Sequence, residues 1–334
     1  MGEKTTARKR FDYNKLLAPA VLVLLYAFFS IFGNNFFSAD YLINILDGSY
    51  YIGFMAIGVT FVIITGGIDL SLGTNFMCAA LLGGAAYNTW GWPMGLCLAF
   101  VVLFATFLGL LNGLMVAYLN LPPFIATLGM MMMGMGFGAI ITNVQTMRYP
   151  TFGTTEGFFK NLFYKTTGGF PVGALWLAGF FLIAYVLLNY TRFGRYTFAI
   201  GSNKEAARLS GIKTKPWLAA VYAFCGFCSG LAGVFYAAVY TSIIPSTGNG
   251  QELLGIAGVV IGGTSMSGGV GTLAGSLIGV FIMSVLKQGL MSMGLQSHWQ
   301  TFFTGAVLIG AVLLDQYRIK RSGRVGSHTN DSTT

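Results

Sequence analysis

Long apolar stretches alternate with short polar ones along almost the whole chain. A hydrocarbon core about 30 Å thick needs about 20 apolar residues in helical form, so the pattern predicts an all-α, polytopic membrane protein with about ten transmembrane helices. The predicted spans are residues 16–36, 49–66, 70–89, 94–118, 123–142, 172–190, 217–240, 252–267, 271–294 and 298–315. Residues 252–267 are short and glycine-rich, which leaves open whether this segment spans the membrane or re-enters it as a broken helix.

Four longer polar segments carry nearly all of the basic charge. Lysine and arginine together number five in residues 1–15, three in 143–171, six in 191–216 and four in 316–334. The positive-inside rule places the more basic segments in the cytoplasm. It therefore predicts a basic cytoplasmic N-terminus and tail, a cytoplasmic 191–216 loop and an extracytoplasmic 143–171 loop. We expect the ten spans to form a single transmembrane domain, residues 16–315. Counting the crossings then places each polar segment on the side of the membrane that its charge predicts.

Composition contributes mainly by excluding other classes of protein. Hydrophobic residues make up 55% of the 334 residues and charged residues 9%, whereas a soluble domain carries about 25% charged residues. The net charge of +9 lies in blocks between apolar runs, which is typical of a membrane topology signal. We therefore expect contact with membrane lipid and no nucleic-acid partner.

The motifs of an enzyme or an ATPase are missing from the sequence. It contains no G-x-x-x-x-G-K-[ST] nucleotide loop and no H-E-x-x-H metal motif. Cys225 and Cys228 fit C-x-x-C, but they lie in an apolar span without the βαβ context of a redox motif, so we expect buried structural thiols. We expect no metal or cofactor in this chain, and the energy for uphill transport would come from another subunit or from an ion gradient.

Charged side chains inside the spans are candidates for function because lipid makes them costly. Asp69 follows Gly66 and Gly67 at a predicted helix break, where its carboxylate could cap the next helix or help to close a gate. Glu252 opens the short eighth span, and the same capping argument applies. Lys287 lies deep in the ninth span, where it would snorkel or face a wet cavity or a partner subunit.

The predicted cytoplasmic loop contains the signals of a short helix. Ser202 or Asn203 can serve as the N-cap, Glu205 suits the first turn, and Gly211 is a natural stop after Leu209. Such a helix could insert its apolar residues into a groove of a soluble partner. A plain surface helix with basic flanks attracted to anionic lipid fits the spacing equally well.

Small residues and a weak internal sequence similarity predict how the helices pack. Residues 62–71 resemble residues 259–267, and transporters are often built from repeats with broken helices in matching positions. Glycine pairs at four-residue spacing favour close packing inside one helical bundle. These pairs include Gly109/Gly113, Gly134/Gly138, Gly226/Gly230, Gly258/Gly262 and Gly275/Gly279.

Several motifs, taken together, resemble those of a known family. They are TGGIDLSLG at 65–73, Asn112-Gly113 with PFIATLG at 123–129, TRFGR at 191–195, EAARLSG at 205–211 and GGTSMSGGVGT at 262–272. From about Asn35 to Tyr317 the chain is similar to the membrane permease subunits of bacterial ABC sugar importers of the ribose, galactose and autoinducer-2 type.

The resemblance implies a ten-span, pore-forming permease in the bacterial inner membrane that pairs with a second copy or a related permease. It implies two further partners: a cytoplasmic ATPase, which would hold ATP and magnesium, and an extracytoplasmic binding protein that delivers a monosaccharide or similar small polyol. By similarity, the ATPase-coupling helix would contain Glu205, Ala206, Ala207, Arg208, Leu209 and Gly211. The candidates for the pathway or its gate are Gly66, Gly67, Asp69, Ser71, Thr127, Glu252, Gly262 and Gly263.

An ion-coupled secondary transporter, or a facilitator for a small polar solute, is the main alternative. Such a protein would need ion-coupling carboxylates or a polar site at the membrane midplane, and the spans supply only Asp69, Glu252 and Lys287. The spans contain no dense set of polar groups suited to hold a sugar tightly. In the importer hypothesis, selectivity is therefore expected to lie mostly in the binding protein.

Overall fold

The computed structural model describes residues 14–245 and 248–328, and the side chains of 17–245 and 248–317. Most of the predicted N-terminal basic segment and the last six residues of the predicted tail lie outside this part. The helices are α1 (Asn14–Phe32), α2 (Ala39–Ile64), α3 (Leu72–Asn88), α4 (Met94–Ala117), α5 (Pro123–Ile141), α6 (Phe158–Phe163), α7 (Val172–Tyr190), α8 (Arg192–Ser202), α9 (Lys204–Leu209), α10 (Thr214–Tyr240), α11 (Gln251–Ile261), α12 (Leu273–Ser292) and α13 (Ser297–His328). Two short strands, β1 (Met147–Arg148) and β2 (Ser242–Ile243), form an antiparallel pair.

The all-α prediction is confirmed, and ten of these helices occupy the ten predicted spans. Seven of the described helices are long and apolar enough to cross a membrane: α2, α4, α5, α7, α10, α12 and α13 up to Tyr317. Shorter apolar helices are found in α1 and at α11. The count of membrane-crossing passes is therefore close to ten.

The 27-residue helix α10 defines two ends of the bundle. At a rise of 1.5 Å per residue it is about 40 Å long. Helix α9 precedes it at one end, which we call the α9 end. Strand β2 follows it at the other end, where Met147 pairs with Ile243, and we call this the strand end.

The start of α1 and the membrane-crossing end of α13 both lie at the α9 end. At the strand end, where α1 and α12 both finish, Asn34 N–H donates to Ser292 O at 3.0 Å. At the α9 end, Asp315 of α13 accepts hydrogen bonds from Ser265 Oγ at 3.1 Å and Met266 N–H at 3.2 Å. The two ends of the described chain thus share one end with the 191–216 loop, as the charge pattern predicts, and the 143–171 segment is at the other end.

Helix α11 is half of a broken crossing. Its 11 residues extend about 16 Å, about half of a hydrocarbon core of about 30 Å. The chain leaves β2 at the strand end, and beyond α11 Gly269 N–H donates to Ile64 O at 2.8 Å at the α9 end. The predicted 252–267 segment therefore completes a crossing from one end to the other and does not re-enter.

Two predicted boundaries are wrong by about a third of a helix or more. Helix α2 begins at Ala39 instead of residue 49, because Ser38 caps it by accepting from Tyr41 N–H at 3.3 Å and Asp40 lies in the first turn. Helix α13 continues to His328, well into the predicted 316–334 tail. Both extensions are too polar to resemble a span, so the hydropathy pattern does not include them.

The glycine pairs bring backbones into contact within this one chain. Helix α4 packs on α10 through Gly109, where an added Cβ would lie 2.7 Å from Gly226 Cα. Helix α11 packs on α12 in the same way, with Gly258 against Gly279 and Gly262 against Gly275. From Ile45 onward nearly all of α2 is buried at the centre of the bundle, whereas α5, α7 and α13 expose most of their apolar surface, as expected of helices that face lipid.

Two lysines at the strand end have contrasting surroundings. Lys165 Nζ lies 2.9 Å from Asp47 Oδ2, and Tyr164 O–H donates to the same oxygen at 3.1 Å. Burial alone would lower the pKa of Lys165, but its hydrogen bonds to Asp47 and Tyr164 outweigh that effect and raise the pKa. Lys160 is buried and donates to the neutral Thr241 Oγ1 at 2.8 Å, and burial lowers the pKa of Lys160.

We expect Lys165→Met to lower the midpoint of thermal unfolding and Lys160→Met, the matched control, to leave it unchanged or raise it. The first change leaves the buried Asp47 carboxylate without a cation, at a cost of about 1–3 kcal/mol. The second removes a buried charge that has no anionic partner among the described residues. Since the pKa of Lys165 is raised above its ordinary 10.5, the difference should persist between about pH 7 and pH 9 and fade only at higher pH. Equal midpoints for the two purified variants would contradict this reading.

Candidate translocation and coupling site

The chain breaks its helical course twice at the α9 end. The first break, residues 65–71, joins α2 to α3, and the second break, residues 262–272, joins α11 to α12. Gly66 has φ +77° and Gly263 has φ +94°, values that favour glycine because it lacks a Cβ. These breaks overlap the two segments that resemble each other in sequence. The internal sequence similarity therefore corresponds to a shared helix–break–helix arrangement.

Asp69 organises the first break through Ser71. Its Oδ1 accepts from Ser71 N–H at 2.9 Å and from Ser71 Oγ at 2.7 Å. Ser71 Oγ in turn accepts from Asn75 Nδ2 at 2.8 Å and Asn112 Nδ2 at 2.7 Å, which ties α3 to α4. All four side chains are buried. Helix α3 begins at Leu72 with Ser71 as its N-cap residue, so Asp69 fixes the residue before the helix instead of capping its first turn.

The amino ends of α3 and α11 meet inside the bundle. Glu252 is buried in the first turn of α11, and its Oε1 accepts from Gly250 N–H at 3.2 Å. An added Cβ at Gly73, in the first turn of α3, would overlap Glu252 Oε2. The positive end of each helix dipole therefore has a carboxylate close to it. Two half-helices with facing amino ends are a usual way for transporters to build a site at membrane depth.

The remaining pathway candidates lie apart from this meeting point. Thr127 is buried, and its hydroxyl donates to Pro123 O at 2.8 Å within α5. Gly262 packs against the backbone of Gly275, and Gly263 forms the turn that ends α11. The proposed pathway role of these residues stays a prediction, and each has a local structural role in the fold.

A backbone junction connects α8 to both breaks. Gly201 of α8 lies so close to Ile64 O that an added Cβ would overlap it, and the same Cβ would lie 2.7 Å from Gly269 N. An added Cβ at Gly268 would lie 2.9 Å from both Gly201 O and Gly66 N. We call these five residues the junction. Any shift of α8 along its axis must move the start of the first break, the middle of the second, or both.

Helix α9 follows the junction directly and presents an apolar residue to solvent. Asn203 is its N-cap and accepts from the Glu205 and Ala206 N–H groups at 3.0 and 2.9 Å. Leu209 is 77% exposed, whereas Ala207 is buried against the bundle. The helix stops before Gly211, which has φ +85°. The predicted cap, length and stop of this helix are confirmed.

Charge on α9 is local and well solvated. Arg208 donates to Glu205 Oε1 one turn earlier, and both side chains are largely exposed. The hydrogen bond from Arg208 lowers the pKa of Glu205. Exposed pairs of this kind contribute little to stability, so the pair is free to exchange its partner for groups on another protein.

A cavity of about 340 Å³ opens beneath the first break at the α9 end. Its walls combine the first break with α8, α9, α10 and the segment that joins α4 to α5. Among the lining residues are Thr65, Gly66, Gly67, Ile200, Lys204 and Tyr222. Tyr222 O–H also donates to Ile68 O at 3.3 Å. The break that holds Asp69 is therefore reached from the same end that presents α9.

Sequence reasoning missed two features of this region. The sequence predicts only one short helix in the 191–216 loop and misses α8, although its N-cap Thr191, which accepts from Phe193 N–H at 3.1 Å, is a visible start signal. Tyr51, Gln251 and Lys287 form a polar contact that joins three helices. Their separation by 200 and 236 positions in the chain gives no local pattern from which the contact could be found.

Comparisons with known proteins place the chain among transport permeases. Residues 41–312 match the family model described as "Branched-chain amino acid transport system / permease component". The chain is 38% identical over 302 residues to the ribose import permease protein RbsC of Escherichia coli (strain K12), covering 88% of this chain and 91% of that protein. It is 37% identical over 318 residues to RbsC of Bacillus subtilis (strain 168), covering 93% and 97%.

A third relative carries the name of a different sugar. It is the galactose/methyl galactoside import permease protein MglC of Escherichia coli (strain K12), 34% identical over 321 residues, with coverage of 90% and 94%. No solved structure gives a significant match. These relatives are permease subunits of transport systems and not enzymes. With its apolar helices and a family match over most of its length, the chain is a multi-pass membrane protein that belongs to this family of transport permease components.

Proposed function

We propose that this chain is the pore-forming permease subunit of an ATP-binding-cassette importer that translocates a monosaccharide or similar small polyol. The relatives at 32–38% identity are named for import or transport of ribose, fructose, galactose and xylose. The proposed location is the bacterial inner membrane with the α9 end in the cytoplasm. The basic segments that cluster at that end support this orientation.

The observation that carries the proposal is the continuous path from α9 to both breaks. Leu209 and Ala206 are exposed on α9 and therefore accessible to a partner. Helix α8 connects α9 to the junction at Gly201, Ile64 and Gly269. A cytoplasmic ATPase that moves α9 would therefore move the break that holds Asp69. ATP and magnesium would be bound on that ATPase.

Alternating access follows from two arrangements of the helices whose populations the partners bias. ATP binding would draw together the α9 helices of two permease subunits, either two copies of this chain or this chain and a related one. An extracytoplasmic binding protein at the strand end would then release its sugar into the pathway between them. Hydrolysis would reset the pair.

The ion-coupled alternative has less support in the geometry. One oxygen of each carboxylate is held, Asp69 Oδ1 by Ser71 and Glu252 Oε1 by Gly250 N–H at the start of α11, while Asp69 Oδ2 and Glu252 Oε2 have no hydrogen-bond partner among the described residues. A coupling carboxylate must gain and lose its ion in each cycle, and groups fixed at helix starts are better suited to hold the backbone.

Reconstitution tests the proposal. The chain should be purified with a candidate ATPase and a candidate binding protein from the same organism and placed in vesicles with radiolabelled D-ribose, D-fructose, D-galactose or D-xylose. We expect uptake of at least one of these sugars that requires ATP, magnesium and all the components. Uptake by the chain alone, driven by a proton or sodium gradient, would overturn the proposal in favour of a secondary transporter.

A further inference from the structure

Five side chains from four helices meet between the middle of the bundle and the strand end. Tyr51 lies at the middle of α2, Tyr236 and Tyr240 lie in the last two turns of α10, Gln251 starts α11, and Lys287 lies in α12. We call this group the tyrosine patch. It contains three aromatic rings, one carboxamide and one ammonium group, in a region that the sequence motifs do not mark.

Direct contacts hold the patch together. Lys287 Nζ donates to Tyr51 Oη at 3.2 Å, and Tyr51 O–H donates to Gln251 Oε1 at 3.0 Å. The Tyr51 ring meets Tyr236 edge-on with centroids 5.2 Å apart, and Tyr236 lies against Tyr240 at 4.5 Å. Tyr51 is buried, and it links the polar groups of Gln251 and Lys287 to the rings of Tyr236 and Tyr240.

The patch is at membrane depth and partly open. Gln251 is the first residue of α11, about 16 Å along the helix from the α9 end. Tyr240 is 39% exposed, and Tyr236, Gln251 and Lys287 are all partly exposed. A partly exposed lysine within a span is costly in hydrocarbon, which favours a surface that lines water or a partner subunit.

The chemistry of the patch suits a neutral polyhydroxylated solute. Aromatic rings offer flat apolar faces to the C–H groups of a sugar ring, and a few placed polar groups fix its hydroxyls. Gln251 can donate and accept, the tyrosine hydroxyls can do both, and Lys287 has three donors, of which one has a partner among the described residues.

We infer that the tyrosine patch is the solute-contacting surface of the translocation pathway and that it takes a monosaccharide. The inference rests on the proposed function and deepens it, because it moves the solute contact from the glycine breaks to Tyr236, Tyr240, Gln251 and Lys287, with the buried Tyr51 holding Gln251 and Lys287 in place. The breaks and α9 then control access, and the patch contacts the sugar as it crosses.

Thiol labelling tests whether the patch faces water. Gln251→Cys and Lys287→Cys should each be made in the full transporter and treated in opened membranes with a membrane-impermeant cationic methanethiosulfonate. Ile183→Cys is the control, since Ile183 is 66% exposed on the apolar α7, and the four native cysteines are buried. We expect both patch cysteines to react about tenfold or more faster than the control, because only hydrated thiols ionise readily, and the transported sugar to slow them. Reaction at the control rate would overturn the inference.

Uptake by a matched pair of variants supplies the functional test. Tyr236→Leu should reduce the maximal rate of ATP-driven uptake by about tenfold or more while the ATPase still co-purifies. Tyr185→Leu, on the exposed face of α7, should leave the rate unchanged. Normal uptake by Tyr236→Leu and by Gln251→Ala would overturn the inference while the proposed function stood. Absence of ATP-driven sugar uptake by the wild-type complex would instead be a failure of the proposed function.

Discussion

Replacing Gly201 with alanine is expected to reduce solute uptake by about tenfold or more. The new methyl group would overlap Ile64 O and lie 2.7 Å from Gly269 N. Both neighbours are backbone atoms that cannot rotate away, so α8 must move off the junction. Overpacking of this kind costs about 1–3 kcal/mol, and here the cost falls on the contact that connects α9 to both breaks.

The control for Gly201→Ala is Gly179→Ala. Gly179 is also helical, but an added Cβ there would meet nothing within 4 Å. Membrane insertion and co-purification with the ATPase should be normal for both variants, while uptake and sugar-stimulated ATP hydrolysis should fall for Gly201→Ala alone. Coupled transport at the wild-type rate in Gly201→Ala would show that the junction transmits nothing.

Changing Leu209 to aspartate should separate the permease from its ATPase. Leu209 is the most exposed large apolar side chain of α9, at 77%, and a carboxylate there would be buried without a partner on docking. Truncating or charging a central interface residue costs about 2–4 kcal/mol, which is about 30-fold or more in affinity. Co-purification of the ATPase with a tagged permease measures the loss directly.

Leu209→Met serves as the control because it keeps an apolar side chain of similar volume. It should retain both ATPase binding and uptake. Glu205→Lys should weaken docking less than Leu209→Asp, because the Glu205 carboxylate is already paired with Arg208 at the exposed surface of α9. Undiminished co-purification of all three variants would remove α9 as the docking element.

Local signals allowed α9 and the first break to be predicted from the sequence. Asn203 and Gly211 act through their own backbone neighbours, so the sequence carries the cap and the stop directly. The same holds for Gly66 and Asp69, whose partners lie within a few positions. Hydropathy gives the number of crossings between two segments, and basic charge gives the side of the membrane on which each segment lies. Together they predicted which segments share an end of the bundle.

Features that depend on distant contacts could not be predicted. Gly262 looked like a pathway residue because it belongs to a family-like motif, yet its close neighbour is Gly275 on another helix. The tyrosine patch joins α2, α10, α11 and α12, and apart from Lys287 each member alone resembles an ordinary residue of a span. The junction depends on three backbones meeting at Gly201, and no spacing along the chain encodes that meeting.

The side of the membrane that α9 faces tests the central claim most directly. Leu209→Cys and, at the strand end, Thr151→Cys both place a thiol at an exposed position against a background of buried cysteines. In cells whose outer envelope has been permeabilised, a membrane-impermeant maleimide should modify Thr151→Cys and leave Leu209→Cys unmodified. Leu209→Cys should be modified only in inside-out vesicles. Modification of Leu209→Cys from the outside would contradict the account, because no cytoplasmic ATPase could then reach α9.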